Sequence, residues 1–139
     1  MTLIKLPSKH HAKHLANTIA KTLLIASLFG GASHALAGDI AAGEKVFKKC
    51  KACHVVESEK NKTGPHLVNI IGRKAGSLES YKKYSKAMIA SDIIWNEETL
   101  DGYLTAPKKY LKGTKMAFAG LRKPADRQNV IAYLKSFSQ

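Results

Sequence analysis

The feature that most constrains this chain is a five-residue stretch, Cys50-Lys51-Ala52-Cys53-His54, which holds the only two cysteines of the sequence. Two thiols three positions apart, with an imidazole directly after the second, supply two covalent attachment points and one iron ligand for a haem. Three other uses of such residues stand beside that one. A redox-active thiol pair also uses Cys-x-x-Cys, but it requires a strand before the motif and a βαβ setting. A zinc site wants a fourth ligand, and there is no spare cysteine. A plain structural disulfide gives the histidine no task. The rest of the chain has to decide between them.

Residues 1–37 carry four lysines, Lys5, Lys9, Lys13 and Lys21, and no acidic residue. They lead into an apolar run from Thr22 to Phe29 and then into small residues ending Ala35-Leu36-Ala37, a small-x-small cleavage pattern. The apolar run is about half of what a ~30 Å hydrocarbon core requires. Residues 1–37 therefore read as a cleaved secretory signal peptide, cut near Ala37, and residues 38–139 as a single domain. No paired arginine marks a twin-arginine signal. The address so read is the periplasm, which suits covalent haem attachment.

The full chain has a net charge of +13, and loss of the four signal lysines lowers this to +9. A basic surface serves nucleic acid, anionic lipid or an acidic protein partner, and export argues against nucleic acid. Two cysteines exclude a disulfide scaffold. The modest apolar core of a domain this size would gain from a buried haem.

Local patterns predict four helices. Asp39 is a good N-cap, and Gly43, Val46, Phe47 and Cys50 follow on one helical face that runs into the motif. Ser85 opens a short helix over about 85–91. Asn96 opens another with Glu97 and Glu98 in its first turn and Leu100, Tyr103 and Leu104 inward, ending at Ala106 because Pro107 follows. Pro124 and Asp126 begin the last helix, whose Val130, Tyr133, Leu134 and Phe137 repeat the same spacing. Gly43 marks a close approach, so the first and last helices should cross there, near Tyr133. Residues 63–76 read as loop. Residues 108–123 also read as loop, and they contain Met116.

The ordered landmarks Cys50-Lys-Ala-Cys-His54, Thr63-Gly-Pro-His-Leu67, Gly72-Arg-Lys74, Trp95-Asn-Glu-Glu-Thr-Leu100, Tyr103-Leu-Thr-Ala-Pro-Lys-Lys-Tyr110, Gly113-Thr-Lys-Met-Ala-Phe-Ala-Gly120 and Ile131-Ala-Tyr-Leu-Lys135 resemble the class I cytochrome c family over nearly all of residues 39–137. The resemblance implies an all-α fold, several helices wrapped round one covalently bound haem c. It implies thioethers at Cys50 and Cys53, His54 as proximal and Met116 as distal iron ligand. The carbonyl of Pro65 would meet the other nitrogen of His54, and Tyr103 would donate toward the Met116 sulfur. Arg73, Tyr84, Trp95 and Thr114 match positions that bond or screen the haem propionates. His66 follows Pro65 on the His54 side, so it reads as a surface histidine and not as a second axial imidazole. Three departures stand out. Lys112 replaces a usual proline, Met88 stands where an asparagine often joins a buried polar network, and Ala75 removes a hydroxyl.

With both axial positions filled, catalysis is not expected, and the function read is one-electron transfer by a soluble monomeric carrier. Lys49 and Lys51 flank the motif, and Lys108, Lys109, Lys112 and Lys115 crowd the Met116 loop. Such a ring would steer acidic partners. By resemblance these are a membrane quinol–cytochrome c reductase and cytochrome c oxidase of a respiratory chain, or another redox protein. The alternative reading is a haem protein whose displaceable Met116 permits peroxidase activity or ligand sensing.

Overall fold

The computed structural model describes residues 38–139; the signal-peptide reading lies outside the described residues. Helix α1 spans Ile40–Phe47, α2 Lys86–Ile89, α3 Glu97–Thr105, α4 Pro107–Tyr110 and α5 Pro124–Lys135. Among the described residues the only β pairing is an isolated antiparallel bridge between Lys74 and Ile94. The all-α expectation holds.

Each predicted helix starts where its sequence says it should. The Asp39 carboxylate accepts the backbone N–H groups of Ala41 (2.8 Å) and Ala42 (3.1 Å), satisfying donors that have no partner within the helix. Ser85 caps α2 by accepting from Met88 N–H. Asn96 and Thr99 form a reciprocal capping box on α3, with Glu97 and Glu98 at the positive end of its dipole. Pro124 stands in the first turn of α5. Three boundaries differ from expectation. Helix α1 stops at Phe47 and does not run on into Cys50. Helix α2 is a single turn, and part of the segment read as loop is helical: Pro107, after ending α3, opens α4 at once.

Helices α1 and α5 cross at Gly43, as the pattern required. A Cβ there would lie 2.0 Å from Asn129 O and 2.7 Å from Tyr133 Cβ, so only glycine permits the approach. Phe47 stacks tilted on Tyr133 with centroids 5.4 Å apart, and the Asp39 N–H donates to Asn129 Oδ1 at 2.8 Å. The core continues through Val56, Ile70, Trp95, Leu100, Leu104, Leu121, Val130, Ile131 and Leu134, all buried. Arg127 is buried too, donating to Asp101 Oδ1 (2.7 Å) and Leu121 O (2.9 Å) and so tying α5 to α3 and to the end of the Met116 loop. No helix among the described residues is long and apolar enough to cross a membrane.

Candidate functional site

After Phe47 the chain leaves α1 in a run of tight turns. Cys50 N–H donates to Phe47 O (2.7 Å), Cys53 N–H to Cys50 O (3.0 Å) and His54 N–H to Cys50 O (2.9 Å). These turns put two free thiols and the imidazole on a short, internally bonded segment, with Cys50 half-buried and Cys53 exposed. Burial pushes the Cys50 thiol up to about 11, against a smaller downward pull from Lys49. A redox-active thiol needs the opposite shift, because the thiolate is the reactive form. Among the described residues no strand precedes the motif and there is no βαβ unit, so nothing there supports the oxidoreductase alternative.

The His54 ring is held in one orientation. Its Nδ1 donates to Pro65 O at 2.7 Å, leaving Nε2 with a free lone pair. A Cβ on Gly64 would lie 2.4 Å from His54 Cε1, so the backbone of that glycine packs directly on the imidazole. The Gly-Pro pair thus has two tasks, a close approach from Gly64 and an acceptor from Pro65. Burial lowers the His54 pKa, opposed by the Pro65 bond and aided by Arg73, which favours the neutral ring that a metal requires.

Met116 belongs to a second cluster. Tyr103 Oη lies 3.6 Å from Met116 Sδ and 2.8 Å from Thr114 Oγ1, and Met116 N–H donates to Thr114 Oγ1 at 3.4 Å. Helix α3 supplies Tyr103, whose ring is fixed between Trp95 (centroids 5.0 Å) and Tyr110 (6.0 Å). The loop reaches Thr114 through a turn in which Thr114 N–H donates to Leu111 O and Gly113 takes φ +88°. Lys115 Nζ points at the carbonyls of Tyr84 (3.3 Å) and Lys83 (3.5 Å).

The other expected residues are placed less simply. Arg73 donates from Nη2 to His66 O (2.9 Å), so part of its donor capacity is spent on the backbone. Its charge lies near enough to Tyr84 to oppose the rise that burial imposes on the phenol. Trp95 is buried against Tyr103, and Tyr84 packs edge-on against Tyr81. His66 is a correction. It is 5 % exposed, not at the surface, and its Nδ1 has no hydrogen-bond partner. Its N–H goes to Asn61 and its carbonyl to Arg73, which draw the residue inward. Sequence reasoning passed over Asn61, Gly64 as a contact to the ring, and Arg127; only Gly64 carried a signal, as the glycine of a Gly-Pro pair beside a candidate ligand's partner.

A family model described as Cytochrome c matches residues 40–138. The chain belongs to the cytochrome c family. It is 50 % identical over 99 residues to a cytochrome c type-1 of Ascaris suum, covering 70 % of this chain and 88 % of the relative. It is 49 % identical over 110 residues to a cytochrome c2 of Rhodomicrobium vannielii, covering 78 % and 87 %. Among solved structures, cytochrome cH from Methylobacterium extorquens superposes with a TM-score of 0.67 at 44 % identity, covering 71 % of this chain and 99 % of that one. This chain is thus a class I monohaem cytochrome c, an electron carrier with one covalently attached haem c. The residues present fit that group. There are two unpaired thiols, an oriented neutral imidazole, a thioether with its own donor, and apolar side chains such as Leu67, Leu111 and Phe118 that the core leaves half-covered.

Proposed function

We propose that the chain is a soluble periplasmic one-electron carrier in which Cys50 and Cys53 would form the thioethers, and His54 Nε2 and Met116 Sδ would hold the iron. The observation that carries this reading is that each candidate ligand already has a hydrogen-bond partner: Pro65 O on the second ring nitrogen of His54, and Tyr103 Oη on the sulfur of Met116 itself. A metal-bound histidine characteristically donates its second N–H to a carbonyl, which fixes the tautomer and raises ligand basicity. The haem supplies an Fe(III)/Fe(II) couple, and imidazole with thioether ligation raises its potential. The chain's own part is to hold both ligands in place in both oxidation states and to keep water out with Leu67, Leu111 and Phe118. Arg73, Tyr84, Trp95 and Thr114 are the groups we assign to the propionate side, with the Thr114 hydroxyl shared with Tyr103.

If His54 and Met116 both hold the iron, they would leave it no place for a substrate, and electron transfer would be the remaining chemistry. The signal pattern of residues 1–37 supports export to the periplasm, with residues 38–139 as the mature domain. The partners fitted by the basic ring are acidic redox proteins, a membrane quinol–cytochrome c reductase as donor and an oxidase as acceptor. Lys51, Lys108, Lys109 and Lys112 make no ion pair among the described residues, whereas Lys49 reaches Asp126 at 3.8 Å and Lys115 is turned to backbone carbonyls. The first four are therefore the stronger docking charges.

Optical spectra of the protein matured with haem-attachment machinery test the ligand set. Met116→Ala should abolish the methionine–iron charge-transfer band while the denatured pyridine adduct still reports two thioethers. Retention of that band would overturn the Met116 assignment. The turn at Lys112 favours a second reading in which Met116 leaves the iron. Fast, tight cyanide binding to the native protein at neutral pH would favour that reading over a simple carrier.

A further inference from the structure

The acceptor on His54 is one half of a peptide unit whose other half is also engaged. The carbonyl of Pro65 accepts from His54 Nδ1 at 2.7 Å, and the N–H of the next residue, His66, donates to Asn61 Oδ1 at 2.9 Å. These two groups share one planar, trans peptide bond, so they point in opposite directions and turn together. The Asn61 amide is itself fixed, because its Nδ2 donates to Ser80 O (3.0 Å) and Ser80 Oγ (3.1 Å). A continuous hydrogen-bonded chain therefore runs from Ser80 through Asn61 and the Pro65–His66 peptide to the imidazole.

We propose that Asn61 is a positioning residue for His54, setting through this peptide unit the strength of the hydrogen bond on the imidazole. Backbone bonds on either side, Gly64 N–H to Cys53 O (2.9 Å) and Leu67 N–H to Val55 O (2.7 Å), fix the ends of the loop against the motif. They leave the Pro65–His66 plane free to rock about its own long axis, and rocking swings the carbonyl off the Nδ1–H. Asn61 Oδ1 opposes that motion. It also polarises the peptide, because an amide whose N–H is accepted has a more negative carbonyl oxygen. Tyr81, next to Ser80 in the chain, donates from Oη to Thr63 O and so braces the same loop. A stronger bond at Nδ1 makes the imidazole more basic and raises the electron density it gives to iron. This inference rests on the proposed ligation by His54.

The test uses the holoprotein, ferrous and labelled with nitrogen-15 at histidine, and reads solvent exchange of the His54 Nδ1–H together with the reduction potential. Asn61→Leu removes both halves of the amide's bonding. Exchange should speed up about three- to tenfold, the loss of one neutral hydrogen bond, and the potential should rise. Asn61→Asp keeps the acceptor for His66 N–H while losing the donors to Ser80, and should restore most of the protection. Its added charge acts on the potential separately, so exchange is the deciding readout for that variant. Ser77→Ala, which loses a hydroxyl bonded to Lys74 O, should change neither quantity. Asn61→Ala carries the same expectation as the leucine variant should the latter not fold. A protected parent proton that exchanges at the same rate in the Leu or Ala variant overturns the inference alone. A failure of Asp to restore protection also overturns it. A parent protein without a protected Nδ1–H overturns the ligation reading and this inference with it.

Discussion

His66 is buried with an unpartnered Nδ1, and burial lowers its pKa from the ordinary 6.5. The folded state therefore prefers the neutral ring. Above pH 6.5 neither folded nor unfolded chain holds the extra proton, and the contribution to stability is complete. As pH falls below 6.5 the unfolded chain takes up the proton first, so stability declines. Denaturant midpoints measured from pH 7.5 to pH 5 should fall for the parent, and His66→Asn should flatten that slope. Tyr103 offers a second residue-level test. Tyr103→Phe removes the donor to the Met116 sulfur and the partner of Thr114 at a cost of about 1 kcal/mol. On the proposed ligation it should lower the potential, since an undisturbed thioether gives more electron density to ferric iron; potentiometry on the two proteins checks this. Tyr103 was legible because it sits on the inward face of a regular helix. His66 was not, because nothing in a Gly-Pro-His sequence says that an asparagine and an arginine from elsewhere will take its backbone groups. Arg127 was hidden for a related reason: a charged residue reads as exposed until Asp101 is known to lie beside it.

Helix α1 carries its function at Gly43. Gly43→Ala gains about 1 kcal/mol of helix propensity but drives a methyl into Asn129 O and the Tyr133 side chain. Forced repacking of this kind costs about 3 kcal/mol, so chemical denaturation should show a net loss of about 2 kcal/mol. The turn before Met116 points the other way. A positive φ at Gly113 is what a type II turn requires at its third position, and proline is favoured at the second, which Lys112 occupies. Leu111 is extended, at φ −128° and ψ 94°, as a residue before proline must be. Lys112→Pro should therefore stabilise the protein by about 0.5–1 kcal/mol, seen as a higher melting temperature. At this scale the sequence was most readable where structure is local. Asp39, Ser85, Asn96 and Pro124 announce their helices because a cap bonds to groups two or three residues away. Helix α4 escaped because it is one turn long with no side-chain cap, too short for a period to show.

Across the whole molecule the basic balance has one expected consequence. If Lys51, Lys108, Lys109 and Lys112 steer an acidic partner, the second-order rate of electron exchange with it should fall steeply with ionic strength. Lys108→Glu should cut the rate at low salt by about tenfold while leaving the potential almost unchanged; stopped-flow kinetics over a salt series measures both. The charge and the grouping of two thiols with an imidazole were legible because they are written in residue type. The relative standing of the lysines was not, since the neighbours of Lys49 and Lys115 come from distant parts of the chain. The crossing of α1 and α5 also governs the order in which the molecule can mature. It joins residues as far apart as Asp39 and Asn129, and closing a loop of that length costs about 4 kcal/mol of chain entropy before the contact returns anything. The thiols and the imidazole lie on the early side of that clasp, on a segment whose turns are held by its own backbone. A growing chain can thus offer its thiol-and-imidazole stretch while still open, and helix α5, which emerges later, is the one that locks it.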